Sequence, residues 1–253
     1  MSAFWTLVKR ELTAIFLSPI AYICGVVFLV CFGYFFCLPL EQFTKTAPDF
    51  ALQELVAWFF GNALGWFILI LLVTAVTMRL FAEEKRNGTI EALLTAPVTD
   101  LQVVMAKFLG AFLFYAMLWM PTLFFFLCLG LKGLDLGLLA SAYLGVLLIG
   151  ALFISIGCLT SSLCRSQMVA AILCFFALSV ASFAPVLLRA TAIDSELFME
   201  CVAYVSLFPA GPHSLMGDMN RGLVTVTHLA YPLSTAACCL FLTCKVMESR
   251  SWK

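Results

Sequence analysis

Three consecutive stretches decide the fold: LVAWFFGNALGWFILILLVTAVTM (Leu55–Met78), RLFAEEKRNGTIEALLTAPVTDLQVVMAK (Arg79–Lys107) and FLGAFLFYAMLWMPTLFFFLCLGL (Phe108–Leu131). The first and third carry no charge, and each is long enough to cross a hydrocarbon core of about 30 Å as a helix. The middle stretch holds eight of the charged residues and separates them. Four more charge-free runs follow the same plan: Leu12–Leu40, Leu136–Cys164, Ser166–Leu188 and Gly222–Cys244. Each is bracketed by charge, for example Glu11 and Glu41, or Arg221 and Lys245. A Lys, Arg or Asp at mid-span costs about 2.5–3.5 kcal/mol on insertion, and none of the six runs contains one. The reading is an all-α integral membrane protein with six transmembrane helices, one domain over residues 1–253.

Composition agrees. Hydrophobic residues make up 64% and charged residues 11% of the chain, against about 45–50% and 25% in soluble domains. The net charge of zero gives no support to nucleic-acid binding, which needs a clustered basic surface. The eleven cysteines contain no C-x-x-C spacing and read as small hydrophobes in apolar runs. The first run is too long for a cleaved signal peptide and lacks a small-residue cleavage pattern, so it is expected to remain as an anchor.

Lys and Arg set the orientation. With the N-terminus inside, Lys9, Arg10, Arg79, Lys85, Arg86, Lys107, Arg165, Lys245, Arg250 and Lys253 face the cytoplasm, leaving Lys45, Lys132, Arg189 and Arg221 outside. Both termini are therefore expected in the cytoplasm of a bacterial inner membrane.

The connecting pieces add detail. Over residues 2–16, Ser2, Thr6, Lys9, Arg10 and Thr13 share one arc and Phe4, Val8, Leu12 and Ile15 lie opposite, which predicts an amphipathic interfacial helix. Glu11 sits on the apolar side: it either snorkels to the headgroups or pairs with a neighbouring cytoplasmic segment. Ser18-Pro19 turns the chain into the bilayer. In the 79–107 connection the second span is expected to continue through Glu83–Arg86 and stop at Asn87-Gly88. Thr89 can cap a short helix with Glu91 near its positive end, Pro97 ends it, and Thr99-x-x-Gln102 is a capping box for the third span. This short helix reads either as a rigid lever for a cytoplasmic partner or as a well-capped turn. The segment Arg189–Arg221 is too apolar for a free loop and too short for a spanning hairpin, so one or two short extracellular helices are expected before span six.

Chemistry that is missing narrows the function. No G-x-x-x-x-G-K-[ST] occurs, so the chain lacks a nucleotide phosphate cradle of its own. H-E-x-x-H is absent, and His213 and His228 read as structural or interfacial histidines. No carboxylate lies inside a run, which weakens a proton-coupled carrier. Hydroxyl residues within the runs, Thr77 and Ser161 among them, with Gly145, Gly150 and Gly157, read as close helix contacts. An intramembrane enzyme or a cofactor-anchoring membrane subunit is the alternative class.

The segment VTMRLFAEEKRNGTIEALLTAPV (Val76–Val98) resembles the ABC-2 type transporter permease family, as do KREL (Lys9–Leu12), SPIAY (Ser18–Tyr22), KFLGAF (Lys107–Phe112) and NRGLV (Asn220–Val224). Among its subgroups the chain is most similar to the gliding-motility-associated permeases. The resemblance implies an export permease that is not itself an enzyme and has no cofactor, ATP being bound by a partner. Implied partners are two copies of an ABC ATPase subunit, a second permease copy or a relative, and the lipid bilayer. It also implies a cytoplasmic coupling helix between spans two and three, shaped by Glu83, Glu84, Gly88, Thr89, Glu91 and Pro97.

Overall fold

The computed structural model describes residues 3–46, 52–87, 99–128, 136–190 and 214–249. Among them are ten helices and no strand: α1 Ala3–Leu17, α2 Pro19–Thr46, α3 Leu52–Gly61, α4 Ala63–Thr77, α5 Ala82–Asn87, α6 Asp100–Cys128, α7 Leu136–Leu163, α8 Gln167–Ala190, α9 Leu215–Met219 and α10 Val226–Glu248. Five stretches are long and apolar enough to cross a membrane: Pro19–Leu40, Ala63–Arg86, Asp100–Leu127, Leu136–Leu163 and Val226–Glu248. The run expected as span five coincides with α8, whose apolar part with described side chains, Gln167–Phe183, falls below that length. Rows of exposed apolar residues, such as Tyr22, Val26 and Val30 on α2 and Met168, Ile172 and Phe176 on α8, suit lipid and not water.

Three expected spans differ in detail. The first begins at Pro19, not Leu12: the helix breaks at Ser18, whose N–H donates to Ile15 O at 3.1 Å, and proline opens the next helix because it needs no N–H partner there. The second is not one helix. Asn62 is extended (φ −71°, ψ 122°) and its side chain accepts from Leu64 N, capping α4. The break frees carbonyls at the end of α3, and Trp66 Nε1 donates to Phe60 O at 2.9 Å to satisfy one of them. The last helix starts at Val226, four residues later than expected, because Gly222 takes φ 79° and Leu223 N–H folds back to Asp218 O.

Helix α7 is the centre of the bundle, apolar all round and packed by α3, α4, α6, α8, α9 and α10. Its glycines permit this. A Cβ at Gly150 would overlap the Tyr115 ring of α6, one at Gly157 would overlap Thr77 of α4, and one at Gly145 would stand 3.2 Å from Met216 and Met219 of α9. Toward one end, rings from four elements interlock: Phe28–Trp119 at 5.0 Å, Phe32–Phe59 at 5.6 Å, Phe36–Phe126 at 5.3 Å and Phe60–Tyr143 at 5.3 Å. The hydroxyls behave as expected, donating mostly to their own helix: Thr77 to Val73 O and Thr243 to Cys239 O, both at 2.8 Å.

Before the last span, Ser214 caps the short helix α9 through Gly217 N, and Ser141 of α7 donates to Met219 O at 2.8 Å. His228 is buried with Nε2 3.4 Å from Asp218 Oδ2. The stretch 191–213, with His213, lies outside the described residues, as does the expected short helix over 89–97.

Candidate functional site

At the end of the bundle opposite the aromatic cluster, α1, α5 and α6 meet around Lys107. The apolar arc of α1 is not left for lipid. Val8 is 2% exposed, and Phe16 packs edge-on against Phe114 of α6 at 5.4 Å. Gly110 of α6 lets α1 approach: a Cβ there would be 3.1 Å from Glu11 Cβ. Glu11 sits on the apolar side of α1 because that side faces α6, where its charge is answered.

Lys107 lies in the second turn of α6 and its side chain is 2% exposed. Its Nζ stands 2.7 Å from Glu84 Oε1 of α5 and 3.1 Å from Glu11 Oε2 of α1, with the Phe81 ring centroid 5.5 Å away. Arg10 supplies a second bond to Glu11 at 2.9 Å. Burial alone would raise the Glu11 carboxyl, but the Lys107 charge and the bonds from Arg10 and Lys107 outweigh it and hold its pKa below the ordinary value. One buried cation thus ties two carboxylates from two different helices. Sequence reading treats Lys107 as the bracket of the third span; because α6 already begins at Asp100, Lys107 is an interior residue.

The start of α6 is fixed by the expected capping box. Thr99 Oγ1 accepts from Gln102 N–H and Gln102 Oε1 accepts from Thr99 N–H, both at 3.3 Å. The other side of the junction was not legible. The helix expected to run from the second span through Glu83–Arg86 loosens into turns at Met78–Phe81 before α5. Ser161 of α7 enters the gap: its Oγ accepts from Phe81 N–H at 3.1 Å and Ala82 N–H at 3.3 Å, and it lies 3.3 Å from Met78 O. A side chain inserted into a helix ladder satisfies the freed groups and fixes a bend. Lys85 Nζ donates to Ser162 O, and Arg79 Nη1 donates to Ser18 Oγ at 3.1 Å, so α5 and the turn before it are held to α7 and to the α1–α2 joint.

Of the six residues assigned to coupling, Glu84 is in this network and Glu83 lines the adjoining cavity. Gly88, Thr89, Glu91 and Pro97 lie outside the described residues. The arrangement makes α1, α5 and α6 one body, with α5 leading directly into the connection to α6.

No curated protein matches the chain. The family model described as "ABC-2 family transporter protein" matches residues 38–244. That match covers most of the chain, from the last part of α2 through the charged connection and every later helix as far as Cys244 in α10. The expected permease family is thereby obtained, and with it a transporter membrane subunit with several membrane-crossing helices: the chain belongs to the ABC-2 family of transporter proteins.

Proposed function

We propose that this chain is the permease subunit of an ABC exporter, driven in trans by two copies of a separate ATPase that binds the ATP. It pairs with a second copy or a related permease in a bacterial cytoplasmic membrane. The whole chain is one ABC-2 transmembrane domain with six spans, α8 being the fifth, and both termini are cytoplasmic. Its resemblance to the gliding-motility-associated permeases, over KREL, SPIAY, Val76–Val98, KFLGAF and NRGLV, is what supports reading it as a relative of that subgroup, without implying motility.

The observation that carries the reading is Lys107, buried between Glu11 and Glu84. The connection over 88–98, containing Gly88, Thr89, Glu91 and Pro97, leaves α5 and returns as α6, and these two helices are joined by that cation. A push from an ATPase on the connection is then delivered to α6 and α1 together and not absorbed locally, which is rigid-body coupling. Glu83→Ala with Glu84→Ala is expected to leave membrane insertion intact and to abolish substrate-stimulated ATPase activity in the reconstituted complex. Wild-type stimulation by that variant would remove the coupling role.

A further inference from the structure

Beside the junction a half-open cavity of about 450 Å³ lies between α1, the α1–α2 joint, the end of α4 and α5. This volume is within the range of small-molecule sites. Its wall is divided. Ile15, Ile20, Ala75 and Val76 form an apolar side, and Leu17, 78% exposed, continues it to the surface. Arg79 and Glu83 form a polar side with the Glu11–Lys107–Glu84 network behind them.

The charges on the polar side are unequally answered. Lys107 is held by both of its carboxylates. Among the described residues Arg79 has a single side-chain partner, the neutral Ser18 hydroxyl, and its Nε is buried without a hydrogen bond. Glu83 has no ion pair among the described residues, although its N–H reaches Arg79 O at 3.4 Å, which places the two side chains one helical turn apart. Residues at that spacing have Cβ atoms about 5–6 Å apart. A buried guanidinium N–H left without an acceptor is costly, so an anionic oxygen is the group this wall lacks. Glu83, half-buried beside it, has no cation opposite it among the described residues.

We infer that the cavity binds a zwitterionic aminophospholipid, its phosphate on Arg79, its ammonium toward Glu83 and the start of an acyl chain along Ile15, Ile20 and Val76. The volume holds a headgroup and the first methylenes, and the rest of the chains leave past Leu17 into the bilayer. Guanidinium matches phosphate oxygens with parallel N–H donors, and the carboxylate one turn away selects a head that also carries a positive charge. The inference goes beyond the coupling role and rests on it only for which leaflet supplies the lipid.

Native mass spectrometry of the full chain released from micelles tests this, with phosphatidylethanolamine and phosphatidylglycerol of identical acyl chains offered together. Phosphatidylethanolamine is expected to be retained one-to-one, about tenfold over phosphatidylglycerol. Arg79→Ala should lower retention of both about tenfold, and Glu83→Gln should remove only the preference. Ala75→Trp fills the cavity without altering a charge and should abolish retention, whereas Val180→Trp on the exposed face of α8 should not. Equal retention of the two lipids by the wild type, or wild-type retention by Arg79→Ala or Ala75→Trp, would overturn the inference. The measurement needs no ATPase, so it can fail while coupling holds, and the reverse.

Discussion

The two ends of the bundle are held together by opposite means. At one, Phe28, Phe32, Phe59, Phe60, Trp119 and Phe126 from α2, α3 and α6 fill the space between helices with rings. At the other, α1, α5 and α6 meet through one buried cation, two carboxylates and a serine that enters a loosened turn. Ring contacts are many and short-ranged, so a packed aromatic cluster deforms only by losing all of them. A charged network has few, directional members, and its partners can be exchanged. The difference teaches where movement belongs under the proposed coupling: the aromatic end would be the fixed part and the charged end the place where an outside force is taken in.

The largest effect that could break this contrast is Lys107→Ala. It takes the Lys107 charge from two largely buried carboxylates, Glu11 and Glu84, for an expected loss of about 3 kcal/mol. Adding Glu11→Gln and Glu84→Gln to it should recover most of the loss, since the damage is uncompensated charge; thermal unfolding in detergent reads both. Phe59→Ala at the aromatic end should cost about 3 kcal/mol, with no comparable rescue and with ATPase stimulation per folded complex unchanged. If Phe59→Ala uncouples as well, the two ends are not functionally distinct. Ser161→Ala should cost about 1 kcal/mol and act locally. Hydrogen exchange at Phe81 and Ala82 is expected to accelerate while α7 keeps its protection.

The smallest effect is on acid stability. The Glu11 pKa is lowered in the folded state, so its contribution is complete above the ordinary value of 4.5 and is lost as pH falls below it toward the folded value. The melting temperature should therefore drop on the acid side of about pH 4.5, and Glu11→Gln should flatten that limb. An unchanged acid limb in the variant would separate Glu11 from the network.

Much of this was legible because lipid imposes a simple rule. Apolar runs free of charge had to be helices, and the helices α7 and α8 fall where the runs do. The Thr99–Gln102 capping box was readable because its partners are three residues apart. Glu11 announced itself by standing on the wrong side of an amphipathic helix. What was not legible depends on distant partners. Ser161 looked like one more hydroxyl in a span, yet it meets groups about 80 residues away. The break at Asn62 had a signal, a lone amide in an apolar run, but capping a new helix there depends on Trp66 closing the end of α3. The pairing of Lys107 was not foreseen because burial of a cation depends on two carboxylates arriving from elsewhere in the chain.

The central claim is that the ion network transmits force in addition to stabilising the fold. Glu11→Gln, Glu84→Gln and Lys107→Met together remove every charge of the triad without stranding one, so the protein should fold with nearly wild-type stability. Substrate-stimulated ATPase activity of this triple variant, reconstituted with its ATPase, is the decisive measurement. The account predicts a stable complex with stimulation lost; a stable complex stimulated like the wild type would contradict it.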